Sequence, residues 1–411
     1  MSGSQKPPSI SVKIGDRVFP EVTRVEVTRD LKNVAGTFEV TIVDEARLRQ
    51  ALLTHMGLAS ENAAVKAGDP VTISIGADTV LVGWIERPRF KWTGSVIELH
   101  VTGRDKTGDL VDGAALPYGP TEFHGVDLLH VAKQVCEPYG ITVRADVDIG
   151  APFDRLALHK HQTALTFLEG AARQRSVLLV SDGVGGLLLT RGGSSRGPAP
   201  LAIGGNIQDV EAEFDWEERF SDYFVTQESA RKRSGGPALD STVDPPDTFT
   251  PPDDEPAADS DAETPSIGSM GHATDPEITR WRPTVRLTRS QSGMDTVQEQ
   301  AEWMCRVAKG QSDRVHFVVL EWRAGKDGVL WRPNQVVAVS EPYSGISRDM
   351  LIAGVSFIFD ETGRRTRLRM AGVTAYDRIN EAERRRSPHR RAGGAASAPD
   401  LITTVPPISA P

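Results

Sequence analysis

The pentapeptide Gly193-Ser194-Ser195-Arg196-Gly197 fits the G-x-S-x-G spacing of a nucleophile elbow, in which a serine on a sharp strand-to-helix turn attacks an acyl carbon. Such an elbow needs a helix directly after the serine, because backbone N–H groups at that turn stabilise the oxyanion. Pro198 and Pro200 remove donors and block the helix, so the segment reads as a loop and a hydrolase using Ser195 is disfavoured. His159 and His161 flank Lys160 and would share one face of a strand, as two metal ligands do. A zinc site takes three or four ligands, and only Asp154 and Glu169 stand nearby, so packed or exposed histidines fit better. The acidic run Asp253-Asp254-Glu255 with Asp259, Asp261 and Glu263 lacks the glycine and ligand order of a calcium loop. No H-E-x-x-H motif, phosphate-binding loop or dinucleotide fingerprint occurs. The sequence predicts no catalytic centre, no metal site and no cofactor.

Two basic features remain. Arg365, Arg367 and Arg369 alternate with Thr366, Leu368 and Met370, which puts three guanidinium groups on one face of a strand while the other face meets a core. That face is either solvated or a candidate contact for an acidic partner subunit or a polyanion. The cluster Arg384-Arg385-Arg386 with Arg390 and Arg391 lacks interleaved aromatic side chains for base stacking, which favours protein contact or solubility over nucleic-acid binding.

The elements that must carry these residues are mostly strands. Val12, Ile14 and Val18, then Val25 and Val27, then Phe38, Val40 and Ile42 alternate with polar residues at period two, and a barrel or strongly curved sheet is expected. The period changes from about Gly113. Leu128, Leu129, Ala132, Val135 and Cys136 mark a helical face that ends before Pro138, and a second helix is expected from about Thr163 through Leu165, Leu168, Ala171 and Ala172. With strands at 141–143, 177–180 and 187–190, residues 113–200 form a small α/β domain. Strand character resumes at 204–227 and again from Trp281, with a helix marked by Val297, Ala301, Met304, Cys305 and Ala308. Strands at 315–322 and 329–339 come next, joined by a turn at Gly325-Lys326-Asp327-Gly328.

The net charge of −9 is concentrated in one place. Residues 234–279 hold eleven acidic groups, eight prolines and no Lys or Arg, so the other residues sum to +2. A segment with so few large apolar groups cannot offset its ordering entropy, and a disordered acidic loop is expected there. With 411 residues the chain has room for about two to four domains. The start lacks the apolar core of a signal peptide, and no stretch approaches the roughly 20 apolar residues of a membrane span, so cytosolic synthesis and no stable membrane association are expected. Cys136 and Cys305 both fall in helical apolar patterns, as buried thiols do.

One hairpin is written twice. Leu81-Val82-Gly83-Trp84-Ile85, a turn at Thr93-Gly94 and the strand with Leu99, Val101 and Gly103 parallel Leu351-Ile352-Ala353-Gly354-Val355, a turn at Glu361-Thr362-Gly363 and the strand with Leu368, Met370 and Gly372. Counted from each turn glycine, Leu99 matches Leu368, Val101 matches Met370 and Gly103 matches Gly372. Upstream, Pro70-Val71-Thr72-Ile73 parallels Val336-Val337-Ala338-Val339. Two copies of one β-unit point to two similar domains, at 1–112 and at 201–233 with 280–380, and to strands on both sides of the acidic loop completing the second. Residues 381–411 read as a basic, Ala/Pro-rich tail.

Several short motifs occur in a shared order: Gly83-Trp84-Ile85, the run from Val101 to Asp112, Leu165-Thr166-Phe167-Leu168, Gly183 to Thr190, Ile203-Gly204-Gly205-Asn206-Ile207, Arg280-Trp281-Arg282-Pro283 and the run from Gly328 to Asn334. Over residues 8–380 the chain resembles the baseplate hub proteins of contractile-tailed bacteriophages, especially the Mu-like hub and the late control D group. The resemblance implies a β-rich α+β protein with two β-barrel, tail-tube-like domains per chain. It implies a structural homotrimer whose pseudo-sixfold ring joins the hexameric tail tube to the trimeric central spike and contacts other baseplate proteins. It also implies a place in the virion tail baseplate after assembly in the bacterial host cytoplasm. The same architecture would serve a tailocin or a phage-derived secretion device. The long acidic loop and the basic tail depart from the common pattern.

Overall fold

The structure, a computed structural model, describes residues 10–19, 22–43, 65–93, 96–159, 161–228, 267–288, 294–324 and 328–377. The first seven strands are β1 (Ile10–Ile14), β2 (Arg17–Phe19), β3 (Val22–Asp30), β4 (Thr37–Val43), β5 (Pro70–Ile75), β6 (Asp78–Thr93) and β7 (Val96–Asp105). Period-two alternation produces them: in β4, Phe38, Val40 and Ile42 are buried while Thr37, Glu39 and Thr41 face outward. All neighbours are antiparallel, in the spatial order β3-β4-β7-β6-β5-β1-β2.

The chain then forms the insert: α1 (Gly108–Asp112), β8 (Glu122–Phe123), α2 (Leu128–Cys136), β9 (Thr142–Ala145), β10 (Leu156–Ala157), α3 (Ala164–Arg173), β11 (Leu178–Ser181) and β12 (Gly186–Thr190). Asp127 and Thr163 cap α2 and α3, each side chain accepting from the backbone N–H three residues on. The apolar faces of these helices meet Leu187 and Leu189 in a core of their own. The first helix of this stretch begins at Gly108, a few residues before Gly113.

The second half contains β13 (Ser195–Arg196), β14 (Leu201–Ala202), β15 (Ile207–Phe214), β16 (Asp222–Glu228), β17 (Ile267–Thr274), β18 (Pro283–Thr288), α4 (Met294–Gln311), β19 (Asp313–Leu320), β20 (Arg323–Ala324), β21 (Val329–Leu330), β22 (Gln335–Glu341), β23 (Ile346–Asp360) and β24 (Gly363–Ala371). The order β15-β19-β24-β23-β22 repeats β3-β4-β7-β6-β5 strand for strand. Irregularities coincide as well: β3 and β15 are bulged at Val22/Arg24 and Ile207/Asp209, β6 and β23 at Ile85/Arg87 and Ile352/Gly354.

These pairings correct the hairpin register read from the turn glycines. Through the ladder Leu99 corresponds to Thr366, Val101 to Leu368 and Gly103 to Met370, two residues from the sequence match. A two-residue slip keeps every side chain on the same face, so the alternation alone does not detect it. The upstream match of Val71 with Val337 and Ile73 with Val339 agrees with the ladder.

Both repeats lie in one 14-stranded sheet, joined where β23 pairs antiparallel with β3. No pairing among the described residues closes either repeat into a separate barrel. One core runs under the joint, containing Val25, Val27, Phe38, Val40 and Val101 from the first repeat and Val315, Phe317, Phe357 and Leu368 from the second.

Two further expectations need correction. Residues 204–227 and 281–288 do not all complete the second repeat: β15 does, but β16 and β18 flank one another in a separate sheet with β17, covered by α4. The acidic loop expected over 234–279 also ends earlier, because 267–274 is strand β17 and residues 275–279 are described; residues 229–266 lie outside the described residues. Strand β17 escaped sequence reading because glycine and other small residues interrupt its apolar alternation, and packing requires at least Gly271 to be small. A Cβ on Gly271 would lie 2.2 Å from the Val297 carbonyl oxygen of α4.

Candidate functional site

The β23–β3 joint is built from Gly354 opposite Asp30 through Phe359 opposite Val25. Phe357, Val25 and Val27 are buried on the core side. On the other side the Thr28 and Ser356 hydroxyls lie 2.7 Å apart. There too Arg369 donates to the Asp30 carboxylate and reaches the Tyr376 hydroxyl at 3.3 Å. Gly354 makes room for that ion pair, since a Cβ there would stand 3.0 Å from the Asp30 carboxylate and 3.3 Å from Arg369 Nε.

The three arginines singled out in the sequence do share one face of β24, with Thr366, Leu368 and Met370 buried opposite. Their surroundings differ. Arg365 is held by Asp360 at 2.6 Å, Arg369 by Asp30, and Arg367 stands half exposed with Glu26 of the first repeat 3.8 Å away. Much of their charge therefore meets acidic groups of this same chain, Arg365 within its own hairpin and Arg367 and Arg369 across the joint. His316, beside Arg369 on β19, has its pKa lowered by burial and stays neutral near pH 7.

Sequence reading missed a buried network that ties the first repeat to the insert. Asp105 is 1% exposed and accepts from Gly36 N at 3.0 Å, Thr107 N at 3.0 Å, Thr107 Oγ1 at 2.6 Å and Ser181 Oγ at 2.6 Å. Arg29 donates to the Ser181 carbonyl at 3.0 Å, while its buried Nε has no hydrogen-bond partner. Burial pushes the Asp105 carboxyl above the usual range, against the pull of these donors. A second network holds the small sheet: buried Arg219 donates to Asp275 at 2.6 Å and Glu277 at 2.7 Å, and Lys309 of α4 also reaches Glu277.

The remaining candidates carry no assembled chemistry. Ser195 is exposed in β13, which runs parallel to β22, and strand β14 comes after it instead of a helix. Arg196 beside it pairs with Asp349 at 2.6 Å. The His159 and His161 rings stack 6.1 Å apart, and among the described residues no group of three or more His, Cys, Asp or Glu is placed to hold a metal. Burial pushes the Cys136 thiol up to about 12, which makes it unreactive. No described helix is long and apolar enough to cross a membrane. The acidic run at 253–263 and the arginines at 384–391 lie outside the described residues.

Residues 9–105 match the family described as Mu phage baseplate assembly protein GpP-like, N-terminal; residues 107–191 match baseplate hub protein gp44-like, second domain; and residues 293–378 match Mu phage baseplate assembly protein GpP, fourth domain. The baseplate hub protein gp44 of Escherichia phage Mu is 28% identical over 368 residues, covering 88% of this chain and 87% of that protein. Among solved structures, the 43 kDa tail protein of prophage MuSo2 from Shewanella oneidensis superposes with a TM-score of 0.72 at 27% identity, over 90% of this chain and all of that one. A tail protein from Neisseria meningitidis, at 19% identity and TM-score 0.66 over 92% of this chain and 99% of that one, shares the fold.

Proposed function

Because this chain belongs to the Mu-like family of phage baseplate hub proteins, structural components of the virion, we propose that three copies close into a ring that adapts the hexameric tail tube to the trimeric central spike. The observation that carries this reading is the duplication. One chain presents two five-strand units with matching order and matching bulges, side by side in one sheet, so three chains would present six similar positions. Each unit then serves as a tube-like domain, completed by its neighbours instead of closing on itself. The polar face of the sheet, with Glu26, Glu39, Arg367 and Arg369, would line the channel, while the core face is already occupied.

The role is structural. Ser195 is followed by strand β14 in place of the helix an elbow mechanism needs, and the similar proteins are hub and tail components. Assembly takes place in the host cytoplasm before incorporation into the tail. The test is co-expression with the tube and spike proteins of the same particle, then mass measurement and imaging. A homotrimeric ring around an open channel is expected. A stable monomer, with spike and tube proteins present, would overturn the reading.

A further inference from the structure

The small sheet β17-β16-β18 is covered by α4 on one face and open to solvent on the other. On the covered face Val225 of β16 packs with Val297 and Ala301 of the helix. On the open face the ladders set Met270, Thr226 and Leu287 in one row and His272, Phe224 and Val285 in the next. Met270 is 52% exposed, Leu287 60% and Val285 66%, and Trp281, two residues before β18, is 74% exposed. Adjoining apolar side chains left this far in water mark a docking surface.

Strand β18 is also an outer strand: it pairs with β16 and, among the described residues, with no other strand. Edge strands are ordinarily protected by charge, by proline or by a cover. In β18 the proline stands at the first position, where it blocks little, and Arg286, opposite Val225, belongs to the helix side. A cover is the protection left.

We propose that residues 400–405 of the same chain cover this face, as a fourth strand added to the free edge of β18. Two observations select that occupant. The described part of the chain leaves off beside α4, where the Asp377 carbonyl accepts from Trp303 Nε1 at 3.0 Å and Thr374 Oγ1 donates to the Arg306 carbonyl at 2.8 Å. A sheet of three strands is only about 10 Å across, whereas residues 378–400 reach roughly 75 Å when extended, so distance does not limit the return. Second, Leu401-Ile402-Thr403-Thr404-Val405 is the one run of strand-forming residues after Asp377, bounded by Pro399 and by Pro406-Pro407. Residues 229–266, which join β16 to β17, scatter Leu239, Val243 and Phe249 among carboxylates and prolines and offer no such run.

Alternation fixes the faces. With Leu401, Thr403 and Val405 over the open face, they meet the stripe of Pro283, Val285 and Leu287, and Asp400 falls on the side of the exposed Arg286. A strand centred on β18 sets Thr403 opposite Val285 whichever way it runs.

The test uses the full chain carrying Cys305→Ser, and its outcome does not depend on the ring reading. Residues directly opposite in a ladder stand about 5 Å apart, within disulfide reach, so Val285→Cys with Thr403→Cys should close a disulfide within one chain on mild oxidation. The two thiols are expected to vanish while the chain stays monomeric in size on a non-reducing gel. Val285→Cys with Thr404→Cys, which places the second thiol on the opposite face, should keep both. Leu401→Asp with Val405→Asp changes no described residue and should speed exchange of the β18 amides turned away from β16 about tenfold or more. A disulfide that joins two chains, the absence of any disulfide at positions 285 and 403, or β18 exchange that ignores the aspartates overturns the proposal and leaves the face to a second copy or to a partner protein.

Discussion

The joint between the two repeats and the two outer edges of the sheet are built from equivalent strands with different exposure. Within the chain, β23 covers β3, so Val25, Val27 and Phe357 vanish from solvent and Arg369 meets Asp30. At the outer edges Phe90 and Phe214 remain exposed, and Glu211 and Glu213 point into solvent. The contrast teaches that exposed residues here are judged against an internal reference. A half-exposed phenylalanine on a surface strand is ordinary; set beside its buried counterpart Phe357, Phe90 shows how much burial the joint supplies.

The largest expected effect tests that contrast directly. Phe357→Ala should cost about 3–5 kcal/mol of chain stability by opening a cavity under the joint. Phe90→Ala should cost less than about 1 kcal/mol, because much of that ring is already in water. Urea unfolding of the two purified variants measures both costs. Equal losses would mean that the two positions are not counterparts.

Next in size is the boundary at which each repeat ends. The first repeat ends in Asp105, whose carboxyl collects four donors and binds the insert through Ser181. The second ends at Gly372, which donates to the Gly310 carbonyl of α4 at 2.9 Å and sits so close that a Cβ would lie 2.7 Å from Gly310 Cα. Asp105→Ala should cost about 2–4 kcal/mol, since it strips buried donors of their acceptor and leaves Arg29 without its nearby carboxylate. Gly372→Val should cost about 1–3 kcal/mol through overpacking. Thermal unfolding ranks them, and the reverse order would show that the helix contact anchors the molecule more than the polar network does.

These boundaries also mark how far the sequence could be read. Strands β3, β4 and β7 and helices α2 and α3 were legible because their apolar residues keep a strict period and their caps are standard, and the arginine face of β24 came from the same alternation. The groups opposite those arginines were not legible, because Glu26 and Asp30 are more than three hundred residues away in the chain. The repeat itself was legible, but its register was not: Gly363 opens β24 at φ 107° and is not the counterpart of Gly94. Aligning Val25-Glu26 with Val210-Glu211 would have revealed the full five-strand unit. Strand β17 was hidden because close helix packing selected glycine over the branched residues that announce a strand.

The smallest effect separates the two halves by pH. The Lys309 ammonium and the Arg219 guanidinium hold Glu277 at about 2, well below its ordinary 4.5. A carboxyl held low in the folded state contributes stability above its unfolded value and loses it as pH falls through the folded one, so the small sheet of β16, β17 and β18 should loosen between about pH 4.5 and 2. Asp105 has the opposite sign: burial raises its folded value, so its protonated form is favoured in the fold and acid does not undermine it. Amide exchange at descending pH should therefore show protection lost first in β16 and β17 beside the second repeat, while β7 and β11 around Asp105 hold longer. Glu277→Gln should flatten that pH response with only a small change in stability near neutrality, because the carboxylate is half exposed and its pairs are screened. Simultaneous loss in both regions, or a Glu277→Gln variant that still loosens over the same range, would show that the second repeat has no acid-sensitive anchor of its own.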